Sequence, residues 1–361
     1  MKQFWTELLS YGPRPVGTAA HDKVTEYIYQ QMKKFSDETR KDSFTFNGWK
    51  INQFGKLCMT KPEEFELDTL VFLGSGSGNF EGTVKKIGKN YVWNMYGWDL
   101  YSVVSEGNEI LAYISGRNEG GVLSQTLIEG NIDLPHFIIS AEQNEHLSRL
   151  LDQGECVQVR GMADCTAVMQ MEGNNIVVPF RFGAADDPDI IICAHYDSMY
   201  NTVGAYDNGA GTAVLMALAE KLSKQELKKN IVLLFTDAEE CRLEGAKHFA
   251  ETVNPESVEY LLNIDGIGRG EEIEIWCGGE RFCRRIENLI EDYPEILQSV
   301  MKWPPPAGSD HAPFYSRGIP VCMYTFNDQD IIHTERDVYQ ESMLRNMKRM
   351  EKLVLHTLQN L

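Results

Sequence analysis

The sequence predicts an α/β fold: a mixed, mostly parallel central sheet with helices on both faces, plus a small inserted α+β domain. Three observations carry this expectation. From Asp189 onward, continuous apolar runs of strand length alternate with amphipathic helical stretches, the pattern of a sheet covered on both sides. Between about Ile51 and Gly161 the texture changes to short strands and turns. The chain, at 361 residues, exceeds one ordinary core, so a large domain with a smaller one is the natural division.

The elements come in this order. Gln3 to Phe35 is helical in pattern, with Val24, Ile28 and Met32 at i+4 spacing, and "YGPRPVGT" interrupts it with turn chemistry. Within the insert, "GTVKKIG", "EILAYISG", "HFIIS" and "CVQVR" read as strands and "AEQNEHLSRLLDQG" as a short amphipathic helix ending in Gly. No cluster of metal-ligating residues stands out there, so 55–163 is expected to be an accessory domain within a discontinuous catalytic domain, 1–54 and 164–361. Strand "DIIICAH" then leads by a loop to helix "GTAVLMALAEKLSKQ", with Val214, Leu215, Leu218 and Leu222 on one face. Strand "NIVLLFT", helix "EGAKHFAETV" and strand "VEYLLNID" come next, then helix "RFCRRIENLIEDY", the rigid loop "WPPPAG", strand "IPVCMY" and a closing helix "SMLRNMKRMEKLVLHTLQNL".

Composition narrows the classes. Thirty-four basic against 53 acidic residues, net −19, argue against a nucleic-acid partner, whose phosphates need a basic footprint. No apolar run is long enough to cross a bilayer, so no membrane partner is expected. The stretch MKQFWTELLSYGPRP lacks a signal-peptide core, so a cytoplasmic location is expected, although a trimmed leader would leave the same sequence. The eight cysteines, none in a CxxC pair, are then free thiols rather than disulfides or a cysteine zinc site.

In covered α/β sheets, ligands bind beyond the carboxyl ends of the strands. Those ends read His195-Tyr196-Asp197, then Asp207 in "YDNGAG", Glu239 and Glu240 in "TDAEE", Asp265 after "LLNI", and His333 in "TFNDQDIIHTERD". One acid at a strand end is commonly a helix cap or a solvated residue; five elements delivering His, Asp, Glu-Glu, Asp and His to one edge are not. Two histidines and three carboxylates exceed the ligands of a single catalytic zinc, which keeps three and a water. Two ions fit better, each with one histidine and one terminal carboxylate, the third carboxylate bridging. Their four positive charges balance three carboxylates and a bridging hydroxide, and buried charge has to be balanced. Such a bridge sets the ions about 3.5–4 Å apart. Asp207, on a tight loop, could reach between two ions or could be only an N-cap. Asp197 suits the acid that holds the other N–H of the His195 imidazole. Of the adjacent Glu239 and Glu240, one can bind metal while the other faces water as general base.

Taken in order, "AHYDS", "DNGAG", "DAEE", "NIDGIG", "SDHAPF" and "IIHTERD" resemble the motifs of the co-catalytic di-zinc metallopeptidases related to bacterial leucyl aminopeptidases and glutamate carboxypeptidases. The segment "YGPRPVGTAAHDKVTEYI" resembles the opening of that family, and the insert resembles a protease-associated domain. The resemblance implies a zinc aminopeptidase-like fold, His195 and Asp265 on one zinc, Glu240 and His333 on the other, Asp207 bridging, Glu239 as base and Asp197 supporting His195. It also implies a cis peptide bond between Asp207 and Asn208, and places Asp310 and His311 beside the substrate. "CRLEGAKHF" departs mildly from the pattern at Cys241 and Arg242. The other histidines (His21, His136, His146, His248, His356) are expected to be structural or exposed.

The expectation is therefore a metal-dependent aminopeptidase acting on peptides with two Zn2+ ions, although the same ligands accept cobalt or manganese. Its rivals are a carboxypeptidase or dipeptidase on the same scaffold, for which Arg242, Arg269 or Arg317 would have to anchor a carboxylate; a single-zinc glutaminyl cyclotransferase; and a non-catalytic binding module. Side-chain preference and oligomeric state are not legible.

Overall fold

A computed structural model describes residues 1–92, 96–127, 133–225, 227–291, 293, 298–328 and 330–361. The chain divides into two compact units, Met1–Phe46 with Glu172–Leu361, and Asn47–Met171. The second takes in a few more residues at each end than the expected 55–163. The long strands Arg40–Lys61 and Gln158–Phe180 run straight through both boundaries, so no linker composition marks them.

In the larger unit four parallel strands lie side by side in the order Val321–Phe326, Val258–Ile264, Asp189–His195 and Ile231–Thr236. Antiparallel neighbours close both flanks: Ile273–Gly278 beside Val321–Phe326, and the end of Gln158–Phe180 beside Ile231–Thr236. The mixed, mostly parallel, helix-covered sheet is thus the fold found. Strand periodicity splits the apolar runs between two cores. Ile190, Ile192, Ala194, Ile231, Leu233 and Phe235 enter one; Ile191, Cys193, Val232 and Leu234 enter the other. Burial on both faces is why these strands read as unbroken apolar runs.

Helix Gly211–Leu222 differs from expectation. It is buried nearly all round rather than along one face, because helices Lys2–Ser10, Ala19–Met32 and Met343–Asn360 pack over its outer side. Strands Ile273–Gly278 and Ser299–Lys302 and the short helix His311–Ser316 fall where the sequence showed no element. Glu274 breaks the apolar pattern of the first, and the other two are too short for periodicity to register.

The smaller unit orders strands Gly78–Val92, Tyr96–Val104, Ile110–Gly116, His136–Ile139 and Thr69–Val71 in a sheet packed with helix Ala141–Asp152. Only Ile110–Gly116 and His136–Ile139 pair in parallel among these.

Candidate active site

The strands Asp189–His195 and Ile231–Thr236 are in register at their last residues, His195 opposite Thr236, so the segments leaving them emerge at one level of the sheet edge. Asp265 comes directly after Val258–Ile264, and His333 lies a few residues beyond Val321–Phe326. Two groups of ligand atoms gather there, each within 4.8 Å of one another: His195, Asp207 and Asp265; and Asp207, Glu240 and His333.

Asp207 belongs to both groups, and its two oxygens face opposite ways. Oδ1 lies 3.0 Å from His195 Nε2, and Oδ2 lies 3.1 Å from His333 Nε2. Asp265 Oδ1 is 3.4 Å from His195 Nε2, and Glu240 Oε2 is 3.2 Å from His333 Nε2. The alternative that Asp207 caps the following helix fails, because Asn208 Oδ1 accepts the Gly211 N–H instead. Asn208 Nδ2 donates to Ile264 O at 2.8 Å, tying the loop to the strand that delivers Asp265. The Asp207–Asn208 peptide bond is cis.

His195 Nδ1 donates to Asp197 Oδ1 at 3.3 Å, which leaves Nε2 to face Asp207 and Asp265, where it would give its lone pair to a metal ion on losing its proton. Asp197 does more than the sequence implied. Its Oδ1 also accepts the Glu239 N–H at 3.1 Å, and its Oδ2 accepts the Glu240 N–H at 3.2 Å. One carboxylate therefore fixes both the imidazole and the turn that carries the two glutamates. That turn passes through Ala238 at φ +55°, and His333 sits at φ +57°. Left-handed backbone outside glycine costs about 1–3 kcal/mol per residue and persists where the surroundings enforce it.

Electrostatics describes a site made for positive charge. Burial opposes a charge on His195, yet the neighbouring carboxylates, Asp265 foremost, raise its pKa well above the ordinary value; Glu240 and Asp207 do the same for His333. Burial, reinforced by the charges of Glu240, Asp310 and Asp265, lifts the Glu239 carboxyl well above the carboxylate range. Burial also pushes Asp310 up to about 7. These shifts mark a crowd of acids whose charge a cation would offset, and imidazole with carboxylate is a donor set that suits zinc.

Asp310 and His311 are both buried beside this cluster. Asp310 Oδ2 accepts from Thr236 Oγ1, while Oδ1 has no partner among the described residues. His311 Nε2 bonds Pro306 O at 2.7 Å, and burial lowers its pKa to about 4, so it is neutral.

Sequence reasoning missed several supporting residues. Ser309 Oγ donates to Asp265 Oδ2 and accepts from Asn263 Nδ2 at 2.7 Å, all three residues being buried. Asp337, also buried, accepts the N–H groups of Tyr206 (2.6 Å) and Asp207 (3.0 Å). His21 Nε2 bonds Asp237 Oδ1 at 2.7 Å beneath the glutamate turn. The one signal available was Asn263, an amide set between the buried apolar residues Leu262 and Ile264.

A covered, mostly parallel sheet with a His/carboxylate cluster on its carboxyl edge defines a metal-binding class of α/β protein, and comparison with known proteins makes the class specific. The pattern of peptidase family M28 matches residues 175–358, just over half of the chain, and the chain belongs to that family, the co-catalytic zinc peptidases. It is a metallopeptidase. Among solved structures, BSAP, a zinc aminopeptidase from Bacillus subtilis, is similar with a TM-score of 0.74 at 19% identity, over 98% of this chain and 92% of that one. A peptidase M28 precursor from Shewanella amazonensis gives 0.76 at 16% identity, over 100% and 96%. At such identities the likeness shows the fold. A vacuolar membrane protease of Schizosaccharomyces pombe is 26% identical over 216 residues, 55% of this chain and 24% of the relative. The chain spans about a quarter or less of the curated relatives it matches.

The expected cytoplasmic location is corrected by these relatives. Several bear the name vacuolar membrane protease, which speaks against the cytoplasmic expectation. The opening stretch MKQFWTELLSYGPRP was a poor guide, since it describes one stretch of sequence and not the compartment. No helix among the described residues is long and apolar enough to cross a membrane.

Proposed function

We propose that the chain is an aminopeptidase that works with two zinc ions sharing Asp207. The observation that carries this reading is the split orientation of that carboxylate, one oxygen toward His195 and Asp265, the other toward His333 and Glu240. His195 and Asp265 would hold one ion, Glu240 and His333 the other. When bound, the ions would polarise the scissile carbonyl and lower the pKa of water to roughly 7. Glu239, whose carboxyl is not among the ligand groups, takes the proton from the attacking water and returns it to the leaving amine. Asp197 keeps His195 and the Glu239 backbone in register for that exchange.

Two features favour a free α-ammonium group over a carboxylate in the substrate. Acids dominate the site, and among them Asp310 Oδ1 is buried with no partner among the described residues. Of the three arginines weighed as carboxylate anchors, Arg269 is committed to Asp328 at 2.9 Å and Arg317 is exposed, which leaves half-buried Arg242, two residues after Glu240, to the carboxypeptidase reading. Amino-acid 4-nitroanilides with free and acetylated N-termini test the reading. The free series is expected to be cleaved and the blocked series not; cleavage of the blocked series would defeat it, and ammonia release from glutaminyl peptides would favour the cyclotransferase. Glu239→Gln should cut kcat by about a hundredfold to ten-thousandfold while metal content stays.

A further inference from the structure

The loop from Tyr196 to Tyr206 separates two residues of the cluster, His195 and Asp207, and its polar backbone is held from two sides. The N–H groups of Tyr206, its last residue, and of Asp207, which follows it, go to Asp337. Its carbonyls go to the amino-terminal segment. Arg14 donates from Nε to Tyr196 O, from Nη1 to Val203 O and, at 3.1 Å, from Nη2 to Gly204 O; its own N–H donates to Ser198 Oγ at 3.1 Å. Trp5 Nε1 donates to Ala205 O at 3.0 Å. Arg14 and Trp5 are both fully buried. The loop has little slack, because Gly204 sits at φ +53° and a Cβ there would meet Asp207 O at 2.3 Å.

A guanidinium taken out of water is costly unless its donors are used and counter-charge is near. Here its side-chain bonds all go to carbonyls of one loop, and its counter-charges are Asp197, Asp337, Asp207 and Glu240 of the cluster itself. Its planar fork spans carbonyls that a lysine's single ammonium could not reach together. We infer that Arg14, backed by Trp5, is a positioning residue that clamps the 196–206 loop and so fixes where Asp207, the carboxylate common to both metal positions, stands relative to His195. Both residues lie outside the M28-matching segment. The inference rests on the two-metal reading, because only there does the position of Asp207 govern both ions.

Zinc affinity by chelator competition, with hydrogen exchange on the metal-free chain, tests it in wild type, Arg14→Lys and Trp5→Phe. Arg14→Lys is expected to stay folded, to bind zinc about tenfold to hundredfold more weakly, and to exchange several-fold faster across 196–207. Trp5→Phe should move both readouts the same way by less. Arg284→Ala, which removes the exposed pair with Glu280, should move neither. Wild-type zinc affinity and loop exchange in Arg14→Lys would overturn the clamp. So would a uniform loss of stability without selective loosening of the loop. If Arg14→Lys fails to fold, Trp5→Phe decides by the same two readouts. Wild type that binds no zinc would sink the two-metal reading instead, and loop exchange would still judge the clamp.

Discussion

His195 in the peptidase unit and His136 in the inserted unit are both closed off from solvent, one ending a strand and the other beginning one. Their neighbours set them apart. His195 faces three aspartates, and despite burial its pKa is driven well up. His136 bonds Ser115 Oγ at 2.8 Å and lies 4.6 Å from the Phe72 ring and 5.6 Å from that of Tyr113, where burial alone pushes it down to about 3. Equal burial yields a cation-seeking site in one place and a neutral core residue in the other. What a buried histidine does is decided by its acids, and among the described residues ligand-grade clusters of acids with histidine gather only in the larger unit.

The most severe way to break this contrast is Asp207→Ala. Loss of the carboxylate common to both groups should lower kcat/KM by about a thousandfold or more and strip both ions; steady-state kinetics with metal analysis reads both. Asp197→Asn is milder. It keeps the shape but weakens the charge that orients His195, and zinc affinity should fall about tenfold to hundredfold in chelator competition.

The smallest effect belongs to His136 and sharpens the other half of the comparison. Its folded-state pKa is below the ordinary 6.5, so between that value and about 3 the unfolded chain binds more protons. Stability is therefore full above about pH 6.5 and is lost as pH falls toward about 3, by up to a few kcal/mol. In His136→Gln, urea unfolding and hydrogen exchange of the strand His136–Ile139 should show a shallower loss between about pH 7 and about pH 4.

The covered sheet was legible because strands buried on both faces leave unbroken apolar runs, and a polar residue ending such a run is conspicuous. That is how His195, Asp265 and the Glu239–Glu240 pair could be seen from local sequence. Asp207 and His333 lie in loops, where spacing alone could not separate a ligand from a cap; motif order located them. Arg14, Asp337 and Ser309 were not legible. Each works through a partner distant in sequence, and an arginine in a Gly-Pro turn or an acid after a loop looks the same whether buried or solvated. The expected location failed for a different reason, since compartment is not a property of packing.

Zinc titration of the metal-free wild-type chain, followed by anomalous diffraction from the loaded crystal, tests the central claim most directly. Two equivalents are expected, with two peaks flanking Asp207 about 3.5–4 Å apart, one beside His195 and Asp265, the other beside His333 and Glu240. A single peak, or two ions that do not share Asp207, would contradict it.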